Sequence, residues 1–98
     1  MKDLERFFYA LSDETRLKMV RILIDYPEVC VCQFQQVFKT YQPRVSFHLR
    51  ILREANIIEG ERKGKWVYYH IKHLPECIKQ MIKTIPLEGL NMACEVKD

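Results

Sequence analysis

Apolar residues recur at helical spacing through the first quarter of the chain, as Leu4, Phe7, Phe8 and Leu11, then Leu17, Met19, Val20, Leu23 and Ile24. Ser12 or Asp13 can cap the second of these helices, Glu14 suits its positive end, and Tyr26-Pro27 stops it. A short third helix is predicted from about Cys32 to Lys39, burying Phe34, Val37 and Phe38. A fourth begins near Pro43, because proline is tolerated in a first helical turn, and carries Val45, Leu49 and Leu52 on one side. Asn56 suits a left-handed C-terminal cap.

Beyond that point the period changes to two. Trp66, Tyr68 and His70 alternate with Val67, Tyr69 and Ile71, and Lys63-Gly64 is the expected turn of a β-hairpin. Pro75 then opens a last helix with Ile78, Met81, Ile82 and Ile85 as its stripe. This order is that of a winged helix-turn-helix: a mostly α fold with a small β-hairpin and additional helices at both ends. Residues 1–98 form a single domain, with the helix-turn-helix at 30–55, the wing at 57–71 and a tail at 86–98. The terminal helices, 1–11 and 74–85, are apolar on one side and have little central core left to cover. Packing against a second copy would bury them, giving a two-fold dimer with paired reading heads.

Charge sharpens this picture. Between Lys39 and His73 eight Lys/Arg face three Glu, a local balance of +5 in a chain whose net charge is +3. Positive charge therefore collects where a phosphate-binding surface is needed. No apolar run approaches the roughly 20 residues that cross a bilayer, and the N-terminus lacks a secretory signal's apolar core. No membrane partner and a cytoplasmic location are expected.

On the fourth helix, Gln42, Arg44, Ser46, Phe47 and His48 are candidates for base edges and nearby phosphates of double-stranded operator DNA. Arg44 could take a guanine edge and Gln42 an adenine. Arg50 suits phosphate, as do Arg62, Lys63 and Lys65 in the hairpin; such contacts position a protein without specifying sequence.

Four cysteines remain: Cys30, Cys32, Cys77 and Cys94. A separation of two residues is awkward for an unstrained disulfide, and cytosolic thiols stay reduced, so metal or redox chemistry is the better expectation. Thiolates suit arsenite, antimonite, cadmium, lead or copper(I) better than magnesium or calcium. Residues two apart on an ideal helix point about 200° from each other. Cys30 and Cys32 can therefore share an ion only where the start of the third helix is irregular or unwinds, which would disturb the reading helix behind it.

The segments Ala10-Leu11-Ser12-Asp13-Glu14-Thr15-Arg16-Leu17, Glu28-Val29-Cys30-Val31-Cys32-Gln33, Gln42-Pro43-x-Val45-Ser46-x-His48-Leu49, Leu52-Arg53-Glu54-Ala55 and Gly64-Lys65-Trp66-Val67-Tyr68-Tyr69 occur in order. Together they make the chain resemble the arsenic-responsive ArsR/SmtB-type repressors over residues 4 to 71. The resemblance implies a homodimeric repressor that leaves its operator when an inducer binds. It carries an inducer site onto Cys30 and Cys32, with As(III) or Sb(III) as inducer and Cd(II), Pb(II) or Cu(I) as alternatives. Some members have a third cysteine three residues after the pair, where this chain has Gln35. The third thiolate would then be Cys94, in a tail that can fold back, ahead of Cys77, which is expected to point inward. The family also places a small hydroxyl residue before Gln-Pro; here Tyr41 stands there, with Thr40 as another possible cap.

Other constellations fail. The family's zinc site on the last helix needs ligands that His70, His73 and Glu76 do not supply in place. Gly60-x-x-x-Gly64-Lys65 is one residue short of a phosphate loop and continues with Trp66. Ser46 and His48 lie on different sides of one helix, and no orienting acid is near. No enzyme and no organic cofactor are expected. Two rivals to metal sensing stand: the same fold switched by redox or persulfide pairing of cysteines, and a winged-helix protein-interaction module.

Overall fold

A computed structural model describes residues 2–87. Helix α1 (Lys2–Ala10) runs into α2 (Glu14–Asp25), whose cap is Asp13: its carboxylate accepts the Arg16 backbone N–H at 3.1 Å. Val29 and Cys30 form a two-residue strand, β1, and α3 (Val31–Phe38) follows it directly. Lys39 takes up a left-handed conformation (φ 51°) to end α3, and α4 (Gln42–Glu54) begins with Pro43 in its first turn. Tyr41 precedes α4 but makes no side-chain cap bond; its carbonyl instead accepts from Arg44 and Val45. Asn56 at φ 60° occupies the expected left-handed position after α4.

Strands β2 (Ile58–Lys63) and β3 (Trp66–Ile71) form the wing, and α5 (Glu76–Ile82) closes the described chain. The sheet order is β1-β3-β2, all antiparallel. Two expected boundaries shift. Lys63 pairs with Trp66, so the connecting residues are Gly64 and Lys65, with Gly64 at φ 65° where a left-handed residue is required. The last helix ends at Ile82, before Ile85, whose carbonyl accepts the Arg21 Nε–H at 2.7 Å. The tail from residue 88 onward lies outside the described residues.

The core joins the apolar stripes of all these elements. Met19, Ile22, Phe34, Leu49, Leu52, Ile57 and Ile58 are fully buried, each contributing about 1.5–3 kcal/mol by leaving water. Helices α3 and α4 pack at one side of this core, and the sheet ties β1, immediately before α3, to the wing.

Candidate nucleic-acid interface and thiol site

Helix α4 divides cleanly between its two sides. Val45, His48, Leu49 and Leu52 are buried, whereas Gln42, Arg44, Phe47, Arg50 and Arg53 are exposed and Ser46 is half-buried. Gln42 donates from Nε2 to Ser46 Oγ at 2.7 Å, one turn further on. The Arg50 guanidinium lies 5.9 Å over the Phe47 ring and 4.0 Å from the Glu54 carboxylate. Arg44, Phe47 and Arg50 therefore share one accessible strip, as an element entering a groove must provide.

His48 departs from that group. Its ring is buried, and Nδ1 lies 3.1 Å from the Arg16 guanidinium, which donates the bond. Where a contact with base edges is expected of it, the structure gives His48 an inward hydrogen bond. Burial lowers the His48 pKa below its usual 6.5; Asp13, 3.9 Å away, opposes this, while Arg16 and Arg44 reinforce it. The neutral ring with Nδ1 as acceptor fits both the bond and the shift. Arg16 is itself buried, and its Nε–H donates to the Ala10 carbonyl at 2.9 Å. The sequence did hold a signal for Arg16: it shares the helical face of Val20 and Leu23, where a charged residue needs a buried partner.

In the wing, Arg62, Lys63 and Lys65 are all exposed. The Lys63 ammonium donates to Glu28 Oε1 at 2.6 Å, and that hydrogen bond raises its pKa. Arg62 donates to the Gly64 carbonyl at 3.2 Å, and Lys65 lies 5.5 Å over the Trp66 ring. Glu28 was missed from sequence because only the sheet brings it beside residue 63.

The structure joins Cys30 and Cys32 in a disulfide, with their Cα atoms 5.5 Å apart. This corrects the expectation that a separation of two residues disfavours a disulfide, and it comes about through the irregular start of the third helix that bringing the two cysteines together requires. Cys30 is not helical: it is the last residue of β1, in extended backbone (φ −90°, ψ 162°), while Cys32 lies in the first turn of α3. Their side chains converge across the strand-to-helix junction, and the Cα separation is an ordinary one for a disulfide. Cys30 is fully buried, and its N–H donates to Gln33 Oε1 at 2.8 Å. Its partner in the sheet is Tyr68 of the wing. Cys77 is exposed, contrary to the inward orientation expected of it, and Cys94 lies outside the described residues. Among the described residues no third cysteine, histidine or carboxylate joins the pair. His70 is engaged with Glu59 at 2.8 Å.

Residues 13–59, from the cap of α2 through the whole reading helix, match the family model described as bacterial regulatory protein, arsR family. The arsenical resistance operon repressor of Bacillus subtilis is 38% identical over 72% of this chain and 68% of its own length. The chain belongs to the ArsR family. This family comprises DNA-binding transcriptional regulators and not enzymes. The arsenic resistance regulator ArsR1 of Pseudomonas putida is 38% identical over 80% of the chain, and the match spans less than two thirds, 62%, of that relative's length. Among solved structures, the transcriptional repressor PagR of Bacillus anthracis superposes with a TM-score of 0.68 at 28% identity, covering 85% of this chain and 92% of that one. Among the described residues no helix is long and apolar enough to cross a membrane.

Proposed function

We propose that this ArsR-family chain is a homodimeric repressor, held on operator DNA by α4 and the wing and released by trivalent arsenic or antimony at Cys30 and Cys32. The observation that carries this is the convergence of the two sulfurs where β1 meets α3. Reduced, they offer two soft thiolates from one short segment, a donor set that fits As(III) or Sb(III) and could also take Cd(II), Pb(II) or Cu(I). An ion held by both must enter between the last residue of β1 and the first turn of α3. Parting the sulfurs moves either Cys30, which is laddered to the wing strand at Tyr68, or the turn that starts the helix-turn-helix. Either displacement reaches a DNA-facing element. A third thiolate would come from Cys94, or from the exposed Cys77, in the same or the partner chain.

Dimerisation is supported by exposed Leu4 and Phe8 on α1 and Met81 on α5, large apolar groups that a second copy would take out of water. The test is fluorescence anisotropy of a DNA duplex that the protein itself selects from a randomised pool, titrated with arsenite under reducing, anaerobic conditions. Release is expected for the unmodified chain and not for Cys30→Ser. Cys77→Ser and Cys94→Ser then identify the third ligand. Tight binding that arsenite leaves unchanged would remove the arsenic assignment.

The Cys30–Cys32 disulfide favours a second reading, in which the signal is oxidation. Hydrogen peroxide takes two electrons from the two thiols, its O–O bond breaking as the S–S bond forms, and yields the disulfide and two waters. Release by peroxide that dithiothreitol reverses, without any metalloid, would favour it over metal sensing.

A further inference from the structure

On the accessible strip of α4, Phe47 is the apolar member between Arg44 and Arg50. Its ring is 48% exposed on a helix that otherwise turns its apolar residues inward. With Pro43 it forms the shared wall of two shallow depressions. One is lined by Tyr41, Pro43, Arg44 and Phe47 beside His48; the other by Pro43, Ser46, Phe47, Arg50 and Arg53 beside Tyr69. Each thus combines an apolar wall with arginine at its edge. Phe47 meets His48 edge to face at 5.4 Å, so the buried histidine buttresses it from behind, and Arg50 lies over its other side.

A phenyl ring can neither donate to nor accept from a base edge, and its exposure costs the free protein the transfer of that surface to water. The flanking cations specify an anionic partner that also presents a small apolar group to the ring. In the major groove of DNA that group is the C5-methyl of thymine, the one apolar feature on the base edges. We infer that Phe47 is a specificity-determining residue that reads a thymine methyl, while Arg44 and Arg50 on either side hold phosphate or guanine. The inference rests on the proposed DNA-reading role of α4, adding to it a preference that its polar residues cannot supply.

The experiment replaces thymine by uracil, one position at a time, in the duplex selected from the randomised pool. This removes the methyl and leaves every hydrogen-bonding group in place. Affinity is read by anisotropy at fixed salt for the unmodified protein, Phe47→Ala and Arg44→Gln. At one thymine in each half-site, uracil is expected to weaken the unmodified protein about fourfold, the effect of one methyl-sized group leaving water. Phe47→Ala should bind the thymine duplex at least fourfold more weakly and no longer distinguish the two duplexes, whereas Arg44→Gln should keep the distinction. The proposal is overturned if no uracil replacement changes the affinity of the unmodified protein, or if Phe47→Ala preserves the thymine preference. The scan on the unmodified chain decides the first of these without relying on any variant's folding. Absence of salt-dependent binding to any duplex would instead overturn the DNA-reading role of α4, and this inference with it.

Discussion

Arg16 and His48 meet in the interior, 3.1 Å between the guanidinium and Nδ1, and link the junction of α1 and α2 to the middle of the reading helix. Because Arg16 also holds the Ala10 carbonyl, the orientation of α4 is set partly by a buried polar bond and not by apolar packing alone. Such a bond is worth little in net terms when made, but is expensive to leave half-made.

His48→Ala leaves a buried guanidinium N–H without its acceptor, so stability should fall by about 1–3 kcal/mol in chemical denaturation. Gln can supply an acceptor at similar reach, and His48→Gln should recover most of the loss. If alanine and glutamine prove equally harmless, the Arg16 bond does not hold α4 in place.

Acidification should expose the same bond. The folded-state pKa of His48 lies below its usual 6.5, chiefly through burial. The unfolded chain therefore takes up this proton at a higher pH than the folded one. The stabilising contribution is complete above about pH 6.5 and is lost as pH falls towards and through the folded pKa. Melting temperatures recorded from about pH 7.5 down to about pH 5.5 should drop more for the unmodified protein than for His48→Gln.

Glu28 accepts from the ammonium of Lys63, which in the proposed DNA-binding role would meet a phosphate. Glu28→Gln should release it, strengthening DNA binding modestly and steepening the slope of log affinity against log salt by at most about 0.9, the value for one phosphate. Lys63→Gln should abolish that gain. An unchanged slope in Glu28→Gln would mean that Lys63 stays clear of the backbone.

Phe8 is 54% exposed on α1, with the Phe7 ring meeting it edge to face at 5.4 Å. In the proposed dimer it is buried, so Phe8→Asp should shift the mass measured by light scattering from two chains to one at micromolar concentration, with DNA affinity falling alongside because half-sites are no longer read together. A dimer that survives this charge would move the interface elsewhere.

Gly64 stands at φ 65° with open space around it, so a side chain there is opposed by backbone conformation and not by collision. Gly64→Ala should cost about 1 kcal/mol, measured by urea titration, and Gly64→Asn less, since asparagine tolerates the left-handed region better.

Local chemistry made much of this protein legible from its residues. Helical spacing of Leu17, Val20 and Leu23 and of Val45, Leu49 and Leu52, the stop at Tyr26-Pro27, the left-handed Asn56 and the alternation from Trp66 to Ile71 are decided by neighbours a few residues apart, and each appears in the fold. The ordered motifs likewise sufficed for the family. What the chain could not reveal in one dimension depends on residues far apart in sequence. Val29 and Cys30 are extended because Tyr68 and Tyr69 pair with them, and only that strand turns Cys30 to meet Cys32. His48 faces inward because Arg16, 32 residues earlier, arrives to donate to its Nδ1, and Lys63 is tied because the sheet delivers Glu28. Spacing decides which side of an element is apolar; only packing decides which polar groups find partners there, because a buried donor is tolerable only where the fold supplies an acceptor.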